Sequence, residues 1–576
     1  MCGIIGYIGK REGNDILIKG LENLEYRGYD SAGVAIIDHN IINTNKVEGR
    51  VKNLKVITLN GNIGIGHTRW ATHGKPENKN AHPFSDENNN FVVVHNGIIE
   101  NYLELKAGLQ EAGTKFTSDT DSEVIVHLIA KAYQGNLKEA VLKVVKHLIG
   151  SFALCVINKD SKEIVAARNG SPLLVGLGEN ENFLASDASA IIEHTKKVVY
   201  INDFEVIELK QDSLNIYDFE GKEKGYQIKE INWGLEQAQK SGYKHFMLKE
   251  IFEQPKVIED SLKIEFNLEK NFSRIIIIAC GTASYAGLVG KYVIERVARI
   301  PVINEIASEF RYKDPIINEN DLVIAISQSG ETADTLAAIR LAKQKGAKTL
   351  GIINVVDSTI AREVDQVIYT RAGPEIGVAS TKAFTSQLIT LYQLAFHLAN
   401  EKQDFSFIKD KVEQTLKLNN KIKEIAKKYY NYSNFLYIGR NLNFPLALEG
   451  ALKLKEISYI HAEAYPAGEL KHGPIALVSE EMPTLAICPK DSVYNKTLSN
   501  IEEIKARSGR IISIATEGDE KIQSVSEDII YIPKVEEFLH PLILTIPLQL
   551  FAYHIADLRE CDIDKPRNLA KAVCVE

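Results

Sequence analysis

The chain has 576 residues, 45% of them apolar and 25% charged, the balance of a globular protein too long for a single hydrophobic core. A net charge of -8 and a pI near 6.0 supply no basic field for a nucleic acid or an anionic membrane, so small metabolites are the expected partners. The cysteines (Cys2, Cys155, Cys280, Cys488, Cys561 and Cys574) are scattered and form no CxxC pair, which argues against a zinc cluster and a disulfide framework and for a reducing, cytoplasmic setting.

In chain order, Cys2 comes first. Removal of Met1 would leave it with a thiol and a free α-amine on one residue. With ordinary pKa values of about 8.5 and about 7.7–8.0, the amine can take the thiol proton near neutral pH and free the sulfur to attack a carbonyl. No basic leader precedes an apolar run here, so no signal peptide is expected. Helical patterns cover Asp15–Glu25 and Asp121–Gln134. Short β-type runs (Val34–Ile37, Phe91–Val94, Ser151–Ile157) separate them, so residues 2–220 read as a mixed α+β domain.

Four segments of this domain supply what a cysteine amidase needs. Leu24–Gly33 is a glycine-bearing turn with an arginine. In His67–Gly74, the planar fork of Arg69 suits bidentate capture of an amino-acid carboxylate. Asn96 and Gly97 follow a β-run directly, so a side-chain amide and a backbone N–H could meet at a developing oxyanion. Ser118–Glu123 opens a helix, with Ser118 or Asp119 as its expected cap and Asp121 left to meet an ammonium.

A polar stretch, taken as 221–250, reads as the inter-domain connection. Beyond it, apolar strands alternate with amphipathic helices. Arg274–Ala279 and Leu322–Ile326 suit parallel strands buried on both faces, and Asn434–Gly439 and Thr484–Cys488 echo them. Two doubly wound α/β subdomains related by duplication are expected, over 251–400 and 420–566, followed by a tail at 567–576. Leu542–Ala556 is the longest apolar stretch, but Pro547, Gln549 and His554 break it, and it reads as a buried helix. Cys574, third from the end, forms no prenylation box.

Two segments of this half carry chemistry. Ser327–Thr332 lies between a strand and a helix, where hydroxyls and N–H groups make an anion site; without a Walker lysine, a sugar phosphate fits better than a nucleotide. In the charged run Glu449–Glu456, residues Glu449, Lys453 and Glu456 share one helical stripe. An exposed salt-laced helix is its ordinary meaning. The interleaved Leu452, Leu454 and Ile457 point to partial burial, where a carboxylate of raised pKa would suit proton transfer beside a carbonyl.

Cys2–Gly6, Arg69–Gly74, Asn96–Gly97 and Asp121 resemble the glutaminase domain of class II, N-terminal-nucleophile glutamine amidotransferases. Ser327–Thr332, Val378–Phe384, the Glu449–Gly473 block and the tail from Asp564 resemble the isomerizing glutamine–fructose-6-phosphate aminotransferase family over nearly the whole chain. The resemblance implies a four-layer αββα glutaminase domain followed by two SIS sugar-isomerase domains. It implies that Cys2 forms a γ-glutamyl thioester, that Asn96 and Gly97 form the oxyanion hole, and that Arg69, Thr72, His73 and Asp121 hold glutamine. Trp70 would gate an ammonia route. Thr282, Ser327, Gln328, Ser329 and Thr332 would bind the phosphate of fructose 6-phosphate, and Val378 and Ala379 would line the sugar pocket. Lys571 would form a Schiff base with the open-chain ketose, Glu456 would move the proton between C1 and C2, Lys453 would support it, and His472 would assist ring opening in the neighbouring subunit of a homodimer. No cofactor and no metal are implied. Many relatives place a serine where this chain has Ala283, with Ser284 next. Two other readings stand beside this one: an amidotransferase or deglycase acting on another sugar phosphate, and a non-catalytic sugar-phosphate sensor.

Overall fold

The computed structural model describes residues 2–231, 240–268, 270 and 272–573; Met1, Cys574 and part of the expected connection lie outside them. The chain divides into two compact units, one of residues 1–238, 331–333 and 570–576, the other of 239–330 and 334–569.

The first unit holds two antiparallel sheets. The eight-stranded sheet has Gly3–Ile8 near its middle, between Asn182–Ala185 and Ile63–Arg69, and the seven-stranded sheet has Phe91–Ile99 beside Gly150–Asn158. Strand side chains alternate faces, and here both faces are apolar. Ile4, Ile8, Val92, Val94, Cys155 and Ile157 fill the space between the sheets. Ile5 and Tyr7 point the other way, onto the helix Gly13–Leu24. Val93, Leu154 and Val156 pack on the helices Glu123–Ala132 and Leu137–Val145. Four αββα layers result, as expected. The expected connection is shorter than 221–250. Glu223–Lys224 and Lys229–Glu230 extend the sheets, and the helix Phe246–Phe252 starts before 250. Those two short strands are exposed, so no apolar periodicity marks them.

The second unit holds two five-stranded parallel sheets. One runs Val302–Ile306, Arg274–Ala279, Asp321–Ser327, Lys348–Ile353, Gln366–Tyr369; the other runs His461–Pro466, Asn434–Gly439, Thr484–Cys488, Ile511–Thr516, Asp528–Ile532. Both have the order second, first, third, fourth, fifth, so the duplication heard in the strand runs is one of topology. In each sheet the winding reverses between the first and third strands, the switch point where such sheets hold ligands at their carboxyl ends. The helix His540–Leu558, buried from His540 to Ala556, packs in the core shared with the helix Asn443–Ser458. It lies in the one described segment long and apolar enough to cross a membrane, Glu537–Leu558, which is 94% buried over its most apolar stretch.

Candidate active sites

Cys2 stands just before the strand Gly3–Ile8, whose Gly3 pairs with Thr68, so the chain leaving Arg69 passes the sulfur. The Trp70 N–H donates to Cys2 Sγ at 3.2 Å, and the thiol reaches the Trp70 carbonyl at 3.6 Å. Burial pushes the Cys2 thiol above its ordinary value, against the pull of the Trp70 N–H and the Arg69 charge. A thiol held protonated needs a base beside it, the task that the sequence assigns to the α-amine.

Asn96 and Gly97 arrive near the end of Phe91–Ile99. Asn96 Nδ2 donates to the Cys2 carbonyl at 3.2 Å. Gly97 has a φ of 125°, and a Cβ there would meet the Ser151 carbonyl oxygen at 1.9 Å, so only glycine fits. Asp121 is buried; its carboxylate accepts the Ile99 N–H at 2.8 Å and lies 3.9 Å from His73 Nδ1. Thr72 is exposed, with Oγ1 3.3 Å from that nitrogen. Trp70 meets Tyr29 edge-on at 5.9 Å.

Three expectations change. Arg69 is only 3% exposed, and its guanidinium donates to the carbonyls of His73, Gly74 (3.2 Å) and Lys75 (3.4 Å). A buried guanidinium has to find acceptors, so the fork holds this turn. Ser118 does not cap the helix, which begins at Glu123; its N–H and hydroxyl donate to the Glu123 carboxylate at 2.7 and 2.6 Å. Asp119 does not cap it either: its carboxylate pairs with Lys79 at 2.8 Å. Arg27, assigned no role in the sequence, is buried and donates from Nε to the Cys2 carbonyl at 3.2 Å. An arginine in a glycine-bearing turn gave no sign of that contact.

Ser327, in the second unit, ends its strand, and Thr332, counted with the first, precedes the helix Ala333–Gln344. Ser327 Oγ accepts the Gly330 N–H at 2.9 Å, and the Gln328 carbonyl accepts the Val355 N–H at 3.2 Å. Gly330 has a φ of 65°, and a Cβ there would sit 1.9 Å from Ser358 Oγ. This glycine turn, with Ser329 beside it, opens a helix N-terminus suited to an anion. Thr282 opens the helix Gly281–Val297 after the neighbouring strand, on the other side of the switch point. Ser284 is buried one residue after Ala283, a turn of about 100° further around that helix.

The charged stripe faces inward. Lys453 Nζ, wholly buried, donates to Thr282 Oγ1 at 2.9 Å and to Glu456 at 2.6 Å, and lies 3.4 Å from Glu449. Val378 and Ala379 are buried in a loop held by Glu250, which accepts the Ile376 and Gly377 N–H groups at 2.6 and 3.1 Å, and by the Asp564 carbonyl, which accepts from Val378 at 3.0 Å. The bonds that join Thr282, Lys453 and Glu456 do not include His472, which is exposed at the end of the turn Ala467–His472. Lys571 lies, half-buried, in the tail counted with the first unit.

Glu449 is the carboxylate of raised pKa. It is 1% exposed, with Oε1 3.4 Å from Thr282 Oγ1 and Oε2 without a hydrogen bond among the described residues. Burial pushes its carboxyl up to about 8, against the pull of Lys453 and with the help of the Glu456 charge. Two carboxylates share one ammonium out of water, and Glu449 takes the proton. Burial presses Lys453 down, but the two carboxylates outweigh it and hold it above the lysine range. The folded state thus binds a proton that the unfolded chain releases near pH 4.3, so stability falls as pH rises from there to about 8, by up to about 1.4 kcal/mol per unit. Glu449→Gln should flatten this slope and leave the variant more stable than the parent at pH 9. Urea unfolding from pH 5 to 9 measures it, and parallel slopes would contradict the assignment.

Comparison with known proteins covers both units. The glutamine amidotransferase domain family matches residues 67–193, and the SIS domain family matches 269–397 and 428–558. The isomerizing glutamine–fructose-6-phosphate aminotransferases of Aquifex aeolicus and Chlorobaculum tepidum are 54% and 50% identical to the chain, each over 100% of both sequences. Among solved structures, the C-terminal domain of glucosamine-fructose-6-phosphate aminotransferase from Francisella tularensis is 42% identical with a TM-score of 0.54, over 57% of this chain and 100% of its own. Glucosamine-6-phosphate deaminase from Thermotoga maritima is 26% identical with a TM-score of 0.51, over 57% of this chain and 100% of its own. With a half-buried cysteine–amide cluster in one unit, an acid–lysine cluster at a switch point in the other and full-length identity of this degree, the chain belongs to the isomerizing glutamine–fructose-6-phosphate aminotransferase family.

Proposed function

We propose that the chain converts D-fructose 6-phosphate and L-glutamine to D-glucosamine 6-phosphate and L-glutamate, the first step of hexosamine biosynthesis. The observation that carries this reading is one chain of this family holding both Cys2 against the Asn96 amide and Lys453 buried between Glu456 and Thr282.

With Met1 removed, the α-amine takes the Cys2 proton and the sulfur adds to the glutamine side-chain amide carbon. Asn96 and Gly97 hold the oxyanion while Thr72, His73, Asp121 and a turned Arg69 hold the amino-acid end. Ammonia leaves with the returned proton, and water cleaves the thioester to glutamate. In the other unit, His472 of a neighbouring subunit opens the sugar ring, which makes the working form a homodimer. Thr282, Ser327, Gln328, Ser329 and Thr332 hold the phosphate, and Val378 and Ala379 line the pocket. The Lys571 amine adds to C2 of the ketose and water leaves; ammonia then displaces the lysine. Glu456, its charge held by Lys453, takes the proton from C1 and returns it to C2, leaving the 2-amino aldose. Bulk water would turn free ammonia into unreactive ammonium, so the ammonia passes to the sugar without release, with Trp70 as its gate. A cytoplasmic setting fits the free cysteines.

Glutamine labelled with heavy nitrogen in its amide, supplied with fructose 6-phosphate and excess unlabelled ammonium, tests both steps. Glucosamine 6-phosphate carrying undiluted label is expected. No glucosamine 6-phosphate would sink the reaction and turn attention to other sugar phosphates; diluted label would sink the closed passage alone.

A further inference from the structure

The Asn96 amide is fixed from behind by a residue that neither the sequence motifs nor the mechanism uses. Ser186 follows the strand Asn182–Ala185, which pairs with Gly3–Ile8. Its N–H donates to the Ile4 carbonyl at 3.0 Å, and its Oγ accepts the Ile4 N–H at 2.8 Å, so the hydroxyl is tied to the strand that begins just after Cys2. The same Oγ accepts from Asn96 Nδ2 at 2.8 Å. Ser186 and Asn96 are each 4% exposed.

A primary amide carries two N–H groups in one plane. With one committed to Ser186, the direction of the other is set, and it points at the Cys2 carbonyl, 3.2 Å away. Asn96 Oδ1 meanwhile is buried near His67, without a hydrogen bond of good geometry among the described residues. Leaving a buried acceptor unmatched is costly, so the side chain is held for its nitrogen at the expense of its oxygen. Rotation of the amide by half a turn would bring Oδ1 against the Cys2 carbonyl oxygen, two acceptors face to face.

We infer that Ser186 is a positioning residue of the oxyanion hole: by holding one N–H of Asn96, it fixes the direction of the other, which lies against the Cys2 carbonyl until the oxyanion formed on the attacked amide takes its place. The inference rests on the glutaminase reading above, which the parent protein tests separately by hydrolysing glutamine or failing to.

In Ser186→Ala, kcat for glutamine hydrolysis should fall about 10- to 100-fold, short of the loss of an oxyanion donor itself, with KM for glutamine nearly unchanged. Affinity for glutamate γ-semialdehyde, which forms a tetrahedral adduct on the sulfur, should fall with kcat. Alkylation of Cys2 by iodoacetamide, a displacement with no oxyanion, should keep its rate, read on the Cys2 peptide by mass. In an Asn96→Ala background the serine change should cost nothing more. If Ser186→Ala fails to fold, Ser186→Cys keeps the volume, weakens only the acceptor and should show the same pattern at smaller size. A retained kcat, an alkylation rate that drops with kcat, or a full additional loss in the Asn96→Ala background would each overturn the assignment.

Discussion

Cys2→Ala should lower glutamine hydrolysis by on the order of 10⁴-fold or more, since a nucleophile that forms the covalent intermediate has no substitute. The loss should be confined to one reaction. Thr282, Lys453 and Glu456 are joined within the second unit, and the proton transfer from C1 to C2 needs no ammonia. Binding of fructose 6-phosphate and its isomerisation to the aldose should therefore persist, as should borohydride trapping of sugar on Lys571. Residual glutaminase within tenfold of the parent would remove Cys2 from the mechanism; trapping on a different lysine would remove Lys571. A related outcome follows from the buried thiol. A retained Met1 would lock the amine in a peptide bond and leave a thiol that burial already keeps protonated, so intact-mass measurement of active protein should show Met1 absent.

Lys453→Met should be the most destabilising single change in the sugar half. It strips the partly buried Glu456 of the ammonium 2.6 Å away that holds its charge, and removing one partner of a buried ion pair costs up to about 3–5 kcal/mol. With no ammonium beside Glu456 to hold the charge it needs as a base, isomerisation should fall by about 10²-fold or more. Adding Glu449→Gln, which near pH 7 replaces a carboxyl that already holds its proton, should change neither the stability nor the rate much further. Urea unfolding and an isomerase assay on the three proteins separate the effects. A Lys453→Met protein within about 1 kcal/mol of the parent would mean that the cluster is far wetter than its burial indicates.

Most of the fold was legible because it is written in periodicity. Arg274–Ala279 and Asn434–Gly439 are apolar at nearly every position because parallel strands are covered on both faces, and they proved to be the corresponding first strands of two identically ordered sheets. Glu223–Lys224 and Lys229–Glu230 carried no such signal, since exposed edge strands, here at the ends of two different sheets, draw on backbone hydrogen bonds that any polar residue can make. The charged stripe was legible as a stripe from its spacing. Its inward direction was not, because only the packing of Asn443–Ser458 against Gly281–Val297 brings Thr282 to Lys453, 171 positions away.

By itself the sequence determined a mixed α+β first domain, the duplicated α/β half and the residue types that chemistry requires: a cysteine behind a removable methionine, an Asn-Gly pair after a strand, a Ser/Thr loop before a helix. Those signals are local, set by periods of two and near four and by neighbours within a few residues. Tertiary structure decided which of them act together and in what state. It turned the Arg69 fork onto its own loop, recruited Arg27 and Ser186 from 25 and 184 positions away from Cys2, and made Glu449 the carboxylate that holds the proton. Burial and long-range hydrogen bonds set charge and orientation, and both exist only once distant strands have paired.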